Sequence, residues 1–170
     1  MTRTLNTLAG LALGVALASG AATAKAQTSP AASNAAAPAP AYGAPISLEA
    51  AQTLIERALA AAAAGHFRMA VAIVEPSGEL VAFARMDDTQ YGSIFVAQKK
   101  AQTAARYRTA TSTMEERTQA GRIVTLANPD SLPIAGGIPI VVDGKIIGAI
   151  GVSGAAAADD NLVALAALRP

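Results

Sequence analysis

The 170-residue chain carries 13 basic and 12 acidic side chains, 52% hydrophobic and only 4% aromatic residues, and no cysteine. That balance gives no indication of nucleic-acid binding, and the lack of cysteine excludes a disulfide framework, a thiolate nucleophile and a lipidated cysteine anchor. The single histidine, His66, leaves one base for any Ser-His-Asp arrangement and excludes a multi-histidine zinc site or bis-histidine iron ligation within one chain.

Arg3 precedes an apolar run from Leu8 to Ala18, shorter than the roughly 20 residues that span a bilayer, and Ala24-Lys25-Ala26 offers a small-residue cleavage site. Residues 1–26 therefore read as a signal peptide, and the expected location is periplasmic or secreted, without stable membrane insertion. Removing them takes away Arg3 and Lys25 and leaves 11 basic against 12 acidic residues, a net charge of −1. Residues 27–45, rich in Ala, Pro, Ser and Thr, bury too little apolar surface to offset chain entropy and read as a disordered tether. Residues 46–170 are long enough for one domain with one core.

In that domain Ser47, followed by Leu48-Glu49-Ala50, has the form of an N-cap, and the Ala/Leu/Ile run to Ala64 stops at Gly65. Met69–Glu75 and Glu79–Arg85 flank Pro76-Ser77-Gly78 as an antiparallel hairpin. From Ser93 to Ala110 the positions Ile94, Ala97, Ala101, Ala104 and Ala105 recur at helical spacing and make a flat face suited to close approach. Thr113-Met114-Glu115-Glu116 has capping-box spacing and opens a shorter helix ending near Gly121. After an irregular stretch, Ile138–Val142 and Lys145–Val152 pair across Asp143-Gly144, and Ala156–Leu168 is helical. The order implies an α+β fold, an antiparallel sheet of four to five strands built from two hairpins and covered by helices.

The segment from Gly148 to Gly154 places glycines at 148, 151 and 154 inside a β-rich run, so a ligand, a helix or another chain comes close to its backbone. His66, at a helix-to-strand junction, either caps carbonyls or acts as a base or ligand. Arg85 and Asp87 end a strand at a polar loop, where they either border a site or form a surface ion pair. Asp87-Asp88 and Asp159-Asp160 sit at element ends, suited to a hard cation or to capping the next helix. Six basic residues lie between Lys99 and Arg122, which suits an anionic ligand or a solvated face; Lys100, beside Thr103 and Tyr107, is the one placed next to a pocket.

Taken in order, Glu75-Pro76-Ser77-Gly78, Arg85-Met86-Asp87, Lys100-Ala101-Gln102-Thr103-Ala104, Gly136-Gly137-Ile138-Pro139 and Gly148 to Gly154, with Asp160 beyond, resemble the GlcG/HbpS family. The family's pattern has Asp where this chain has Glu75, and commonly a small residue where Asp88 stands. The resemblance implies an α/β/α layered, profilin-like domain assembled into dimers or larger homo-oligomers, haem-binding and in some members haem-degrading. It also implies kinship with the carboxyl-terminal domain of a corrinoid adenosyltransferase of the PduO type.

These readings lead to an exported protein that binds a small molecule, haem or a related tetrapyrrole before others. The expected ligand site comprises Arg85, Asp87, Lys100, Thr103, Gly136, Gly137, Gly151, Ser153 and Gly154, with His66 as a haem axial ligand. Met69, Met86, Met114 and three tyrosines are the other side chains that can hold iron. Two other readings use the same residues: an enzyme on a small oxygenated metabolite or on haem, with Asp87 or Lys100 as acid or base, and an oligomer without a small ligand.

Overall fold

Ser47 fixes the start of α1 (Leu48–Ala64): in the computed structural model, which describes residues 38–169, its Oγ accepts a hydrogen bond from Ala50 N at 3.2 Å. The helix closes through Phe67 N to Ala62 O at 2.9 Å and His66 N to Ala63 O at 3.0 Å, the paired bonds of a Schellman motif. The left-handed residue of that motif is His66, at φ 57°, rather than the expected Gly65, at φ −86°. Gly65 is instead where the chain folds back on itself, since a Cβ there would lie 2.5 Å from the Phe67 ring.

The first hairpin pairs β2 (Ala70–Val74) with β3 (Leu80–Arg85). The second joins β4 (Gly137–Val142) to β5 (Lys145–Ser153) across Asp143 and Gly144, whose φ values of 50° and 72° are the two positive angles a type I′ turn requires. β5 is central. One edge pairs with β4; the other pairs antiparallel with β2 over Ala149–Ser153 and in parallel with β1 (Ala41–Tyr42) over Lys145–Ile146.

β1 makes the five-stranded sheet mixed rather than wholly antiparallel, and it comes from residues assigned to the tether. Gly43 N and Ile46 N extend the pairing by donating to Ile146 O and Ile147 O, each at 2.8 Å. The Tyr42 hydroxyl donates to Ala105 O and Arg106 O at the far side of the sheet edge. Residues 1–26 and 27–37, read as a signal peptide and the rest of the tether, lie outside the described residues.

The two-residue period of β2 divides the core. Met69, Val71 and Ile73 face α1 and α4 (Ala157–Leu168), where they join Ile55, Ile150, Val152 and Val163. Ala70, Ala72 and Val74 face α2 (Gly92–Tyr107), whose Ala97, Ala101, Ala104 and Ala105 lie on them with Ala149. One face of the sheet is thus filled by large branched side chains and the other by little more than methyl groups, which lets α2 approach the strands closely.

α3 (Thr111–Gln119) starts two residues before the expected capping box, which does not form. Thr111 Oγ1 accepts from Gly137 N at 2.8 Å and so pins the helix start to β4, while the Glu115 carboxylate accepts from Ala135 N at 2.8 Å. A 3-10 helix, Ile123–Ala127, follows α3. Among the described residues no helix is long and apolar enough to cross a membrane.

Candidate functional site

The register brings several of the predicted residues to one end of the sheet. Ala70 is opposite Arg85 on one side and Ser153 on the other, so the start of β2 and the ends of β3 and β5 coincide. Asp87 follows Arg85 in the next turn, Gly154 follows Ser153, and His66 lies four residues before Ala70. Arg85, Asp87 and His66 are exposed; Ser153 is buried, its Oγ donating to Ser93 Oγ at 3.3 Å at the start of α2. The Arg85 guanidinium lies 5.3 Å from the centre of the Tyr91 ring, a cation–π contact rather than an ion pair with Asp87. Arg68, exposed and two residues from His66, adds a second cation that the sequence reading did not single out.

The other predicted residues lie inside, along the seam between α2 and β5. Lys100 is 1% exposed; its Nζ donates to Asp160 Oδ2 at 2.6 Å and to Val152 O at 3.1 Å. β4 leaves the edge of β5 at this level: Val152 N still donates to Gly136 O, and the ammonium takes the Val152 carbonyl that a longer β4 would have bonded. Asp160 Oδ1 accepts from Ala155 N at 3.0 Å, so both carboxylate oxygens are used. A buried charge needs such compensation, because an unpaired ammonium or carboxylate in the interior is strongly disfavoured. Asp160 therefore serves the start of α4, as its position suggested, and also anchors Lys100 from α2.

Thr103 is buried as well. Its hydroxyl donates to Lys99 O at 2.7 Å and accepts from Leu132 N at 2.9 Å, which ties the irregular stretch down onto α2.

The glycines are places where protein approaches protein. A Cβ on Gly151 would fall 2.0 Å from Ala97 O and 2.6 Å from Ala101 N, one on Gly137 2.3 Å from Lys100 O, and one on Gly154 2.1 Å from Arg68 O. Gly136, at φ 119°, has Val152 O, Lys100 Nζ and Asp160 Cβ all within 3.0 Å of the same position. The close approach legible in the Gly148 to Gly154 segment is thus made by α2 and by the strand entering β2, and the expected site divides into an exposed end and a filled seam.

Among side chains able to hold haem iron, Met69 is fully buried in the core, Met114 is 8% exposed, and Met86 packs against the core from its edge. The Tyr42 hydroxyl is engaged by α2, and the Tyr107 hydroxyl accepts from Asn128 Nδ2. His66 and Tyr91 have exposed side chains, and no hydrogen bond holds the imidazole among the described residues. Exposed imidazole and phenol donors beside Arg68 and Arg85 fit an iron-bearing dianion such as haem; the buried Lys100, paired with Asp160, is not available to a propionate. No cluster of three or more His, Cys, Asp or Glu suited to a bare metal ion occurs among the described residues.

Comparison with known proteins bears on the family and the fold. Residues 46–169 match the family described as "Haem degrading protein HbpS-like". GlcG of Escherichia coli K12 is 40% identical over 88 residues, which are 52% of this chain and 66% of GlcG, short of two thirds of that relative. The crystal structure of a double mutant of HbpS from Streptomyces reticuli superposes with a TM-score of 0.69 at 31% identity, covering 82% of this chain and 97% of that one. A crystal structure of PduOC in complex with haem superposes with a TM-score of 0.67 at 27% identity, covering 73% and 93% of the two chains. With a match across nearly the whole folded domain and the same α+β architecture, the chain belongs to the HbpS-like family.

Proposed function

We propose that this chain is an exported haem-binding protein that holds the tetrapyrrole at the exposed end of the sheet, with His66 as axial ligand and Arg68 and Arg85 pairing the propionates. The observation that carries this reading is His66 itself: an exposed imidazole without a hydrogen-bond partner among the described residues, on a left-handed turn, at the sheet end where two cations are also exposed. Family membership and the haem complex of the related PduOC support the choice of ligand. Tyr91 and Phe95, 82% and 67% exposed and one helical turn apart beside Arg85, supply apolar surface for a porphyrin face or for a second copy of the chain. A symmetric homo-oligomer would then bring two His66 side chains to one haem.

The test is a haemin titration followed by optical absorbance, with His66→Ala and Arg85→Gln run in parallel. A saturable Soret change of fixed stoichiometry, lost in His66→Ala and weakened in Arg85→Gln, is the expected result. Spectra that never saturate would remove haem from consideration, and saturable spectra that are the same in all three proteins would remove His66 and Arg85 from its site.

The family's description also favours a second reading, breakdown of the bound tetrapyrrole. Asp87, exposed beyond Arg85, is its candidate acid or base. Loss of the Soret band with release of iron on addition of an oxidant, slowed in Asp87→Asn while haem affinity is kept, would support turnover.

A further inference from the structure

A second group of polar residues gathers at the carboxyl end of α2, away from His66. Tyr107, Arg117, Arg122, Thr125, Asn128 and Ser131 line a cleft of about 270 Å³ between α2, α3 and the 3-10 helix, with Met114 as its apolar floor. Taking about 30 Å³ per water, this is space for roughly nine waters, and hence for a ligand of about ten non-hydrogen atoms or fewer.

The charge in the cleft is uncompensated. Neither the Arg117 nor the Arg122 guanidinium makes an ion pair or a hydrogen bond to a described residue, although Glu116 adjoins Arg117 in sequence. Arg122 N donates to Arg117 O at 2.9 Å, so the backbone holds the two residues at one helix end. The hydroxyl of Tyr107 accepts from Asn128 Nδ2, which leaves its own proton free to donate. Two planar guanidinium forks, each able to bind an oxyanion in bidentate fashion, beside a free phenolic donor are chemistry for two carboxylates or for one phosphate.

We propose that this cleft is a binding site for a small dianion, a dicarboxylate or phosphate, held by Arg117 and Arg122 with Tyr107 as a neutral donor. The site shares no residue with the proposed haem end, so either can fail without the other.

The test is isothermal titration of the full chain at low ionic strength with succinate and, separately, with inorganic phosphate. One saturable site per chain is expected for at least one probe, and the stronger of the two identifies the source of the oxyanion. Arg117→Gln and Arg122→Gln should each weaken binding about tenfold or more, and Tyr107→Phe by less. Lys145→Gln, the same charge change at a residue that does not line the cleft, should leave it unchanged. Both arginines are exposed, so these variants should keep the parent melting temperature, measured in the same buffer. No saturable heat with either probe, equal affinity in the arginine variants, or an equal loss in Lys145→Gln would overturn the assignment.

Discussion

Lys100 Nζ lies 2.6 Å from Asp160 Oδ2, a buried ion pair between α2 and α4, helices on opposite faces of the sheet, that passes round the edge of β5 where β4 has ended. The pair joins residues 60 apart in sequence and holds the two layers of helices in one arrangement.

Removing one partner leaves the other charged and alone in the interior. Lys100→Met and Asp160→Leu are each expected to lower stability by about 3–5 kcal/mol. The double variant should lose much less than the sum, because it buries no unpaired charge. Urea unfolding of the three variants and the parent closes the cycle, and additive losses would show that the two residues are not coupled.

Gly151 is the position with least room in the α2 seam. Gly151→Ala should cost about 1–3 kcal/mol through forced separation of α2 from β5, and Gly151→Val more. Gly92→Ala is the matched control, since nothing lies within 4 Å of a Cβ placed there, and should stay within about 0.5 kcal/mol of the parent. Thermal melts that rank the three otherwise would mean that the seam repacks freely.

His66 occupies a left-handed position that costs most L residues about 1–2 kcal/mol. His66→Gly should therefore raise stability by about 0.5–1 kcal/mol once the extra freedom of glycine in the unfolded chain is counted. The same variant should lose the haem spectrum. A histidine kept at a conformational cost and lost without harm to folding is the behaviour of a ligand-binding residue. Reduced stability would instead give the imidazole a structural role.

β1 is tied to α2 through Tyr42. Tyr42→Phe should lower stability by about 1 kcal/mol, and a chain starting at Ile46 by more, because it also loses the pairing with Lys145 and Ile146. Equal melting temperatures for chains starting at Pro38 and at Ile46 would return residues 38–45 to the tether.

What the sequence makes legible follows the range of the interaction. The Ser47 cap, the Asp143-Gly144 turn and the alanine face of α2 are set by neighbours within a few residues, and all are found where their chemistry puts them. The two-residue β1 has no period to read and exists because β5 offers an open edge. The capping box at Thr113 loses to a tertiary bond, Thr111 to Gly137, that local spacing does not reveal. For the candidate site, the glycines announce a close approach but not what approaches, and Ala97 lies 54 residues from Gly151. The division of the predicted residues into an exposed end and a filled seam depends on strand register, which fixes Arg85 and Ser153 beside Ala70 while drawing Lys100 inward.

The placement of β1 also sets a direction. It runs along the hairpin end of β5, while His66 and Arg85 stand at the other end, seven or eight residues along, or about 25 Å at the usual rise of a strand. The described chain therefore begins, at Pro38, on the side of the domain remote from the histidine.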